Sequence, residues 1–116
     1  MSRRSEPAPI APGEVLRDEV LAGAGITQEA LAKAMGVSRF TVSEIINGRR
    51  AVTAEMALRL ARVHSMTPDF WLNLQRDADL YRARRRLGET IDLVEVLRQP
   101  KNPKERFVSL DSLRKV

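Results

Sequence analysis

The sequence has no cysteine and only one histidine, and these absences narrow the chemistry that the protein can perform. Without cysteine there is no disulfide, no thiolate metal site and no thiol nucleophile. His64 stands apart from any cluster of carboxylates, so we interpret it as a residue at the end of a helix. No phosphate-binding loop, catalytic triad or metal-ligand spacing is present. We therefore predict no enzyme activity, no catalytic or metal-binding residues and no cofactor.

Long apolar segments are also missing. No stretch approaches the roughly 20 apolar residues that cross a bilayer. Residues 1–11 combine Arg3 and Arg4 with prolines and lack the apolar run of a signal peptide, which indicates an extended, flexible N-terminal arm. We expect a soluble, cytoplasmic protein without a membrane partner.

Positive charge is present in excess and is unevenly distributed. The net charge is +5 and the pI about 10.4. Residues 38–66 contain five arginines against two glutamates, and residues 101–116 contain five basic against two acidic residues. Such basic segments favour a polyanionic partner such as nucleic acid.

The pattern of apolar residues, caps and glycines predicts an all-α fold with five helices or slightly more. Thr27, Ser38, Thr53 and Thr67 are typical N-cap residues, and each precedes an apolar repeat of helical spacing. We assign residues 12–97 to one domain, whose long fifth helix covers 68–87 and stops at Gly88. A further helical turn or two is predicted over 90–97, and residues 98–116 form a C-terminal tail without an assigned role, weakly strand-like over 106–110.

The segment from Thr27 to Gly48 has the features of a helix-turn-helix. Ala32 is small where the two helices must touch, Gly36 occupies the turn, and Val42 and Ile45 can anchor the second helix to the core. The same shape occurs as plain packing inside enzymes, but here the free face is basic and polar. We therefore predict a DNA-binding domain of the helix-turn-helix type.

The residues of the second helix that the core does not need are candidates for reading DNA bases. Arg39 matches the O6 and N7 atoms of guanine, while Phe40 and Thr41 suit thymine methyl groups. Ser43 is short enough to face either the groove floor or a phosphate. Glu44 has two interpretations: it accepts a hydrogen bond from cytosine N4, or it merely orients Arg39. The alternative for Phe40 is that its ring packs on the surface of the domain.

A second set of residues is assigned to the DNA backbone. Gln28 begins the helix that precedes the reading helix, where free backbone N–H groups favour an anion. Asn47, Arg49 and Arg50 close the motif and also suit phosphate, although the pair Asn47-Gly48 is equally explained as a helix stop.

The long fifth helix carries apolar residues along one side, which we assign to dimerisation: Phe70, Trp71, Leu74 and Tyr81. A place in the core is the alternative for Phe70 and Trp71.

The arginine run from Arg82 to Arg86 is flanked by Asp77, Asp79 and Glu89, so a salt-bridged, solvated face explains it better than a second nucleic-acid patch. Because one recognition helix reads only a few base pairs, a two-fold dimer with two half-sites is expected.

Five segments of the sequence have a pattern found together in one known family: Pro12–Leu16, Thr27–Ala32, Ile45–Arg50, Thr53–Ala61 and Thr67–Gln75. They resemble the HigA/VapI-type antitoxins of the XRE (Cro/CI-like) helix-turn-helix family. The resemblance covers about residues 11–97. Its most specific segment is Thr67–Gln75, which generic Cro/CI-type repressors usually lack.

The resemblance implies a DNA-binding antitoxin that neutralises a HigB/RelE-like ribonuclease toxin and, as a dimer, represses its own operon at a palindromic operator. It also implies DNA contacts at Ser38, Arg39, Thr41 and Ser43, with Gln28 and Asn47 at phosphates and dimerisation around residues 70–97. We assign Ser38 to a phosphate. Two alternatives remain open: a free-standing regulator of the same fold without a toxin, and a helical adaptor that binds only protein.

Overall fold

The computed structural model describes residues 7–98, and all regular secondary structure within that range is helical. Helix α1 begins as an α-helix over Pro12–Val15 and continues with π-helical geometry over Leu16–Ala22. The other helices are α2 (Gln28–Met35), α3 (Arg39–Ile46), α4 (Ala54–His64) and α5 (Pro68–Leu87), followed by a 3-10 helix over Gly88–Leu93. The all-α, five-helix prediction is confirmed. Parts of the predicted arm (1–6) and tail (99–116), including the strand-like stretch, lie outside the described residues.

All four predicted N-caps form. In each case the side-chain hydroxyl accepts a hydrogen bond from the backbone N–H three residues later, which satisfies a donor that the first turn of a helix leaves free. The four bonds are Ala30 to Thr27 (3.1 Å), Thr41 to Ser38 (3.1 Å), Met56 to Thr53 (3.3 Å) and Phe70 to Thr67 (3.2 Å).

The end of the described chain differs from the prediction. Helix α5 stops at Leu87, as predicted, and Gly88 takes a φ of +55°. The last helical segment is a 3-10 helix that begins directly at Gly88 and ends at Leu93, so the predicted helical turn over 90–97 is wrong in its extent. Val94 is extended and 64% exposed. Since β-branched residues favour extended backbone and this stretch has no core to pack against, the helix does not continue.

Residues from all five helices meet in one hydrophobic core. Trp71 on α5 is its largest fully buried side chain, and Phe70 packs edge-on against it at 5.2 Å between ring centroids. The assignment of Trp71 to a dimer interface is therefore wrong in this structure, because its own chain encloses the indole completely. The core alternative holds for Trp71, while Phe70 and Leu74 pack against the same core and remain partly exposed.

One buried polar side chain connects α5 to the segment that follows α3. The Oε1 atom of Gln75, which is 9% exposed, accepts a hydrogen bond of 2.7 Å from the backbone N–H of Val52. Its Nε2 donates to the Oδ1 of Asp79 at 2.9 Å. Both ends of the buried amide are thus paired, and α5 fixes the position of the chain that leaves α3.

Candidate nucleic-acid interface

Helices α2 and α3 and the turn between them form a helix-turn-helix. Ala32, Val42 and Ile45 are 4%, 0% and 2% exposed, which places one face of each helix in the core. Gly36 ends α2 with a φ of +73°, a left-handed conformation that is costly for residues with a Cβ. Helix α3 is thereby held across α2 with its opposite face turned outward.

A side chain of α4 secures the turn. The Nη1 atom of Arg59 donates to the backbone carbonyl of Met35 at 2.7 Å, and Nη2 pairs with Glu55 at 3.1 Å. Arg59 is one of the five arginines in the basic segment 38–66. Its positive charge nevertheless lies at the last turn of α2, where the helix dipole favours cations. Sequence reasoning missed this contact because nothing in the spacing of residues 35 and 59 indicates that they meet.

The N-terminus of α1 supports α3 from the other end. Gly13 is buried, and a Cβ at this position would overlap the backbone carbonyl oxygens of Ile45 and Ile46. The backbones of α1 and α3 can approach so closely only because Gly13 has no side chain. A glycine inside the first turn of a helix, where it is intrinsically unfavourable, was the signal that could have revealed this contact.

The outward face of α3 presents the predicted base-reading residues. Phe40 is 67% exposed and Arg39 is also exposed, whereas Thr41 and Ser43 are half-buried. Such exposure of a large aromatic side chain, in the first turn of α3, shows that Phe40 does not pack into the domain. The first turn of α3 thus combines one cation and one exposed ring.

Arg39 and Glu44 are not partners, although one prediction had Glu44 orienting Arg39. Arg39 Nη1 instead lies 3.4 Å from the Oε1 of Glu29, on the preceding helix α2. Glu44 accepts two hydrogen bonds on Oε1 from Arg50, at 2.6 Å from Nη2 and 3.0 Å from Nε. The orienting role is therefore wrong, because Glu44 faces the carboxyl end of α3.

Two residues assigned to phosphate are tied into the ends of α3. Ser38 Oγ caps the helix and also shares a hydrogen bond of 2.9 Å with Thr41 Oγ1. At the other end, Asn47 Nδ2 donates to the backbone carbonyl of Ser43 at 2.9 Å. The helix-stop alternative for Asn47 thus has direct support, and both side chains remain at exposed positions where further contacts are sterically open.

The remaining residues assigned to phosphate differ in their surroundings. Gln28 is half-buried as the first residue of α2, and Arg49 is exposed with no side-chain partner among residues 7–98. Arg50, in contrast, lines a groove of about 360 Å³ between α1, the end of α3 and α5. Arg17 lies on the same groove and pairs with Asp18 at 2.8 Å, and this hydrogen bond lowers the pKa of the Asp18 carboxyl.

The arginine run of α5 is partly engaged within its own helix. Arg82 pairs with Asp79 at 2.7 Å, and Arg85 donates to the hydroxyl of Tyr81 at 3.2 Å while lying 5.5 Å from the centre of its ring. These contacts favour the salt-bridged face over a second nucleic-acid patch for both arginines.

An apolar surface lies beyond these contacts, at the end of α5 and after it. We call it the C-terminal apolar surface. Its members are large hydrophobic side chains, each between 38% and 86% exposed: Leu80, Leu87, Ile91, Leu93, Val94, Val96 and Leu97.

Within residues 7–98 there is no group of three or more histidine or acidic side chains arranged to hold a metal ion. No helix of this range has both the length and the apolar character that crossing a membrane requires.

The chain is similar in sequence and fold to known helix-turn-helix proteins. A helix-turn-helix family model matches residues 19–71. The chain is similar to the antitoxin HigA-1 of Vibrio cholerae, with 45% identity over 109 residues, or 94% of each chain. It is also similar to the Pseudomonas aeruginosa antitoxin HigA solved with the higBA promoter, with 40% identity and a TM-score of 0.73 over 78% of this chain and 99% of that one. Antitoxin GraA in complex with its operator matches with 43% identity and a TM-score of 0.73, over 83% and 96% of the two chains.

Proposed function

Because the chain belongs to the HigA-type antitoxins of the helix-turn-helix family, a group of DNA-binding regulators rather than enzymes, we propose that it is the antitoxin of a type II toxin–antitoxin module. In this proposal it binds a palindromic operator as a dimer, represses its own operon and neutralises a HigB/RelE-like ribonuclease toxin. The cell compartment is the cytoplasm, where both operator and toxin are accessible.

The observation that carries the DNA-binding part is the outward face of α3. Arg39 and Phe40 are exposed on a helix whose opposite face is anchored by Val42 and Ile45. An anchored helix with a free polar face is what insertion into the major groove requires. In the proposal Arg39, Phe40, Thr41 and Ser43 read bases, while Gln28, Ser38, Asn47 and Arg49 contact phosphates.

The dimer is supported by the C-terminal apolar surface. Large apolar side chains that stay exposed close together in a chain are candidates for a contact site with another molecule. A second copy that covers Leu80, Leu87 and Ile91 would remove them from water. Two linked recognition helices would then read half-sites about one turn of DNA apart. Phe70, Leu74 and Tyr81 contribute at most their exposed edges, since each is already half-buried.

The toxin part is tested by expression of the neighbouring small reading frame, alone and together with this chain. We expect arrest of growth from the neighbour alone and rescue when this chain is present. A harmless neighbour would reject the antitoxin role and leave a free-standing regulator of the same fold. A variant with Arg39→Ala serves as control, because a weaker preference for the operator should not abolish rescue if the toxin binds elsewhere.

A further inference from the structure

Two consecutive arginines, Arg49 and Arg50, follow the recognition helix, and they differ in their contacts. The guanidinium of Arg50 donates twice to Glu44 Oε1, at 2.6 and 3.0 Å, whereas the side chain of Arg49 has no partner among residues 7–98. Glu44 is 23% exposed and Arg50 is 45% exposed, so the pair is partly shielded from solvent. A partly shielded, two-bond ion pair competes better with an incoming phosphate than a fully exposed pair does.

The backbone of the same loop also depends on Glu44. Its carbonyl oxygen accepts hydrogen bonds from the backbone N–H groups of Arg49 at 2.8 Å and Arg50 at 3.3 Å. The chain can turn back over the end of α3 because Gly48 takes a φ of +73°. Glu44 therefore holds both residues through its carbonyl but only one of them, Arg50, through its carboxylate.

The two arginines also differ in their position relative to the groove between α1, α3 and α5. Arg50 lines this groove together with Asn47 and Ala51, and Arg49 does not. Arg50 therefore lies against the wall of this groove, whereas Arg49 is exposed and lies outside the groove.

We propose that Glu44 is a positioning residue that holds Arg50 as an internal clamp on the loop after the recognition helix, so that Arg49 alone of the pair contacts DNA phosphate. This replaces both earlier interpretations of Glu44, as a reader of cytosine and as a partner of Arg39. It rests on the proposed DNA-binding function for the phosphate contact, whereas the clamp itself is a property of the free protein.

The test compares two substitutions that remove the same charge from adjacent positions, Arg49→Gln and Arg50→Gln. Affinity for DNA containing the upstream operator is measured over a salt series. We expect Arg49→Gln to reduce the magnitude of the log–log salt slope by about 0.9 per bound protomer, the value for one lost phosphate contact. Arg50→Gln should leave the slope unchanged. The proposal would be overturned if both variants reduced the magnitude of the salt slope equally, or if only Arg50→Gln reduced it. A salt slope that neither variant changes would also overturn it.

Thermal unfolding of the free protein tests the clamp without DNA. Glu44→Gln and Arg50→Gln should each lower Tm by roughly 1–6 °C, and the double variant should lower it no further than either single one. Arg49→Gln should leave Tm unchanged. Additive effects of the two substitutions would overturn the clamp. If the unmodified protein binds no DNA, the proposed function fails, while these unfolding measurements still decide whether Glu44 and Arg50 act as one unit.

Discussion

The side chain of Gln75 on α5 accepts a hydrogen bond of 2.7 Å from the backbone N–H of Val52, 23 residues earlier in the chain. Val52 is 2% exposed and lies between α3 and α4, where no helix or strand satisfies its N–H group. The amide of Gln75 therefore replaces a backbone partner. Through this bond the helix proposed to support the dimer also fixes the exit from the helix proposed to read DNA.

Replacement of Gln75 with methionine tests this connection. Methionine keeps the approximate size of the side chain but leaves the N–H of Val52 buried and unpaired, which costs about 1–3 kcal/mol of unfolding free energy. Urea denaturation measures the change. Asn73→Met, at an exposed position of the same helix, is the control and should change stability by less than about 0.5 kcal/mol. Equal effects of the two substitutions would show that the bond contributes nothing.

Gly13→Ala should lower the free energy of unfolding by about 1–3 kcal/mol, which is the usual cost of overpacking. The reason is that the new methyl group would overlap the carbonyl oxygens of Ile45 and Ile46. The matched control is Gly23→Ala, where the added Cβ meets only the carbonyl oxygen of Asp18, at 3.3 Å. Thermal unfolding of both variants gives the comparison. A Gly13→Ala protein as stable as the Gly23→Ala protein would contradict the close approach of α1 and α3.

Arg39→Ala should relax the sequence preference at one base pair of each half-site by about 1–3 kcal/mol, because a bidentate contact with guanine is lost. Competition binding with single-base operator variants measures this preference. Arg62→Ala removes the same charge from an exposed position on α4 and should leave the preference intact. Uniform weakening of Arg39→Ala on every sequence would instead assign Arg39 to phosphate.

Charge placed in the C-terminal apolar surface should disrupt the proposed dimer. Leu87→Asp inserts a carboxylate among exposed apolar side chains, so a second copy could cover it only at a high desolvation cost. Sedimentation equilibrium should show a dimer for the unmodified chain and a monomer for the variant. Leu58→Asp, at a 61% exposed position on α4, is the control and should remain dimeric. An unmodified chain that is monomeric at micromolar concentration would reject the dimer.

Local patterns in the sequence predicted the helices and the motif, because caps, glycines and apolar spacing act over a few residues. Thr27, Ser38, Thr53 and Thr67 each form the cap that their position indicates. The change to π-helical geometry over the seven residues Leu16–Ala22 of α1 had no such signal, since this segment has the same apolar spacing as an ordinary helix.

Contacts between distant residues could not be predicted in the same way. Trp71 is a large apolar residue on a long helix, and this pattern fits a core position and a dimer interface equally well. Only the packing of the other helices around it shows that it belongs to the core. Glu44 and Arg50 share the same difficulty. Their separation of six residues is not a helical spacing, so the turn at Gly48 had to be known before the pair could be recognised.

The most direct test of the central claim is the affinity of the purified protein for the DNA upstream of its own coding sequence, compared with a shuffled duplex of equal length and composition at the same salt concentration. If α3 reads an operator, the upstream DNA should bind about 10³-fold or more tightly than the shuffled duplex. Equal affinity for the two duplexes would contradict sequence-specific recognition by this helix-turn-helix.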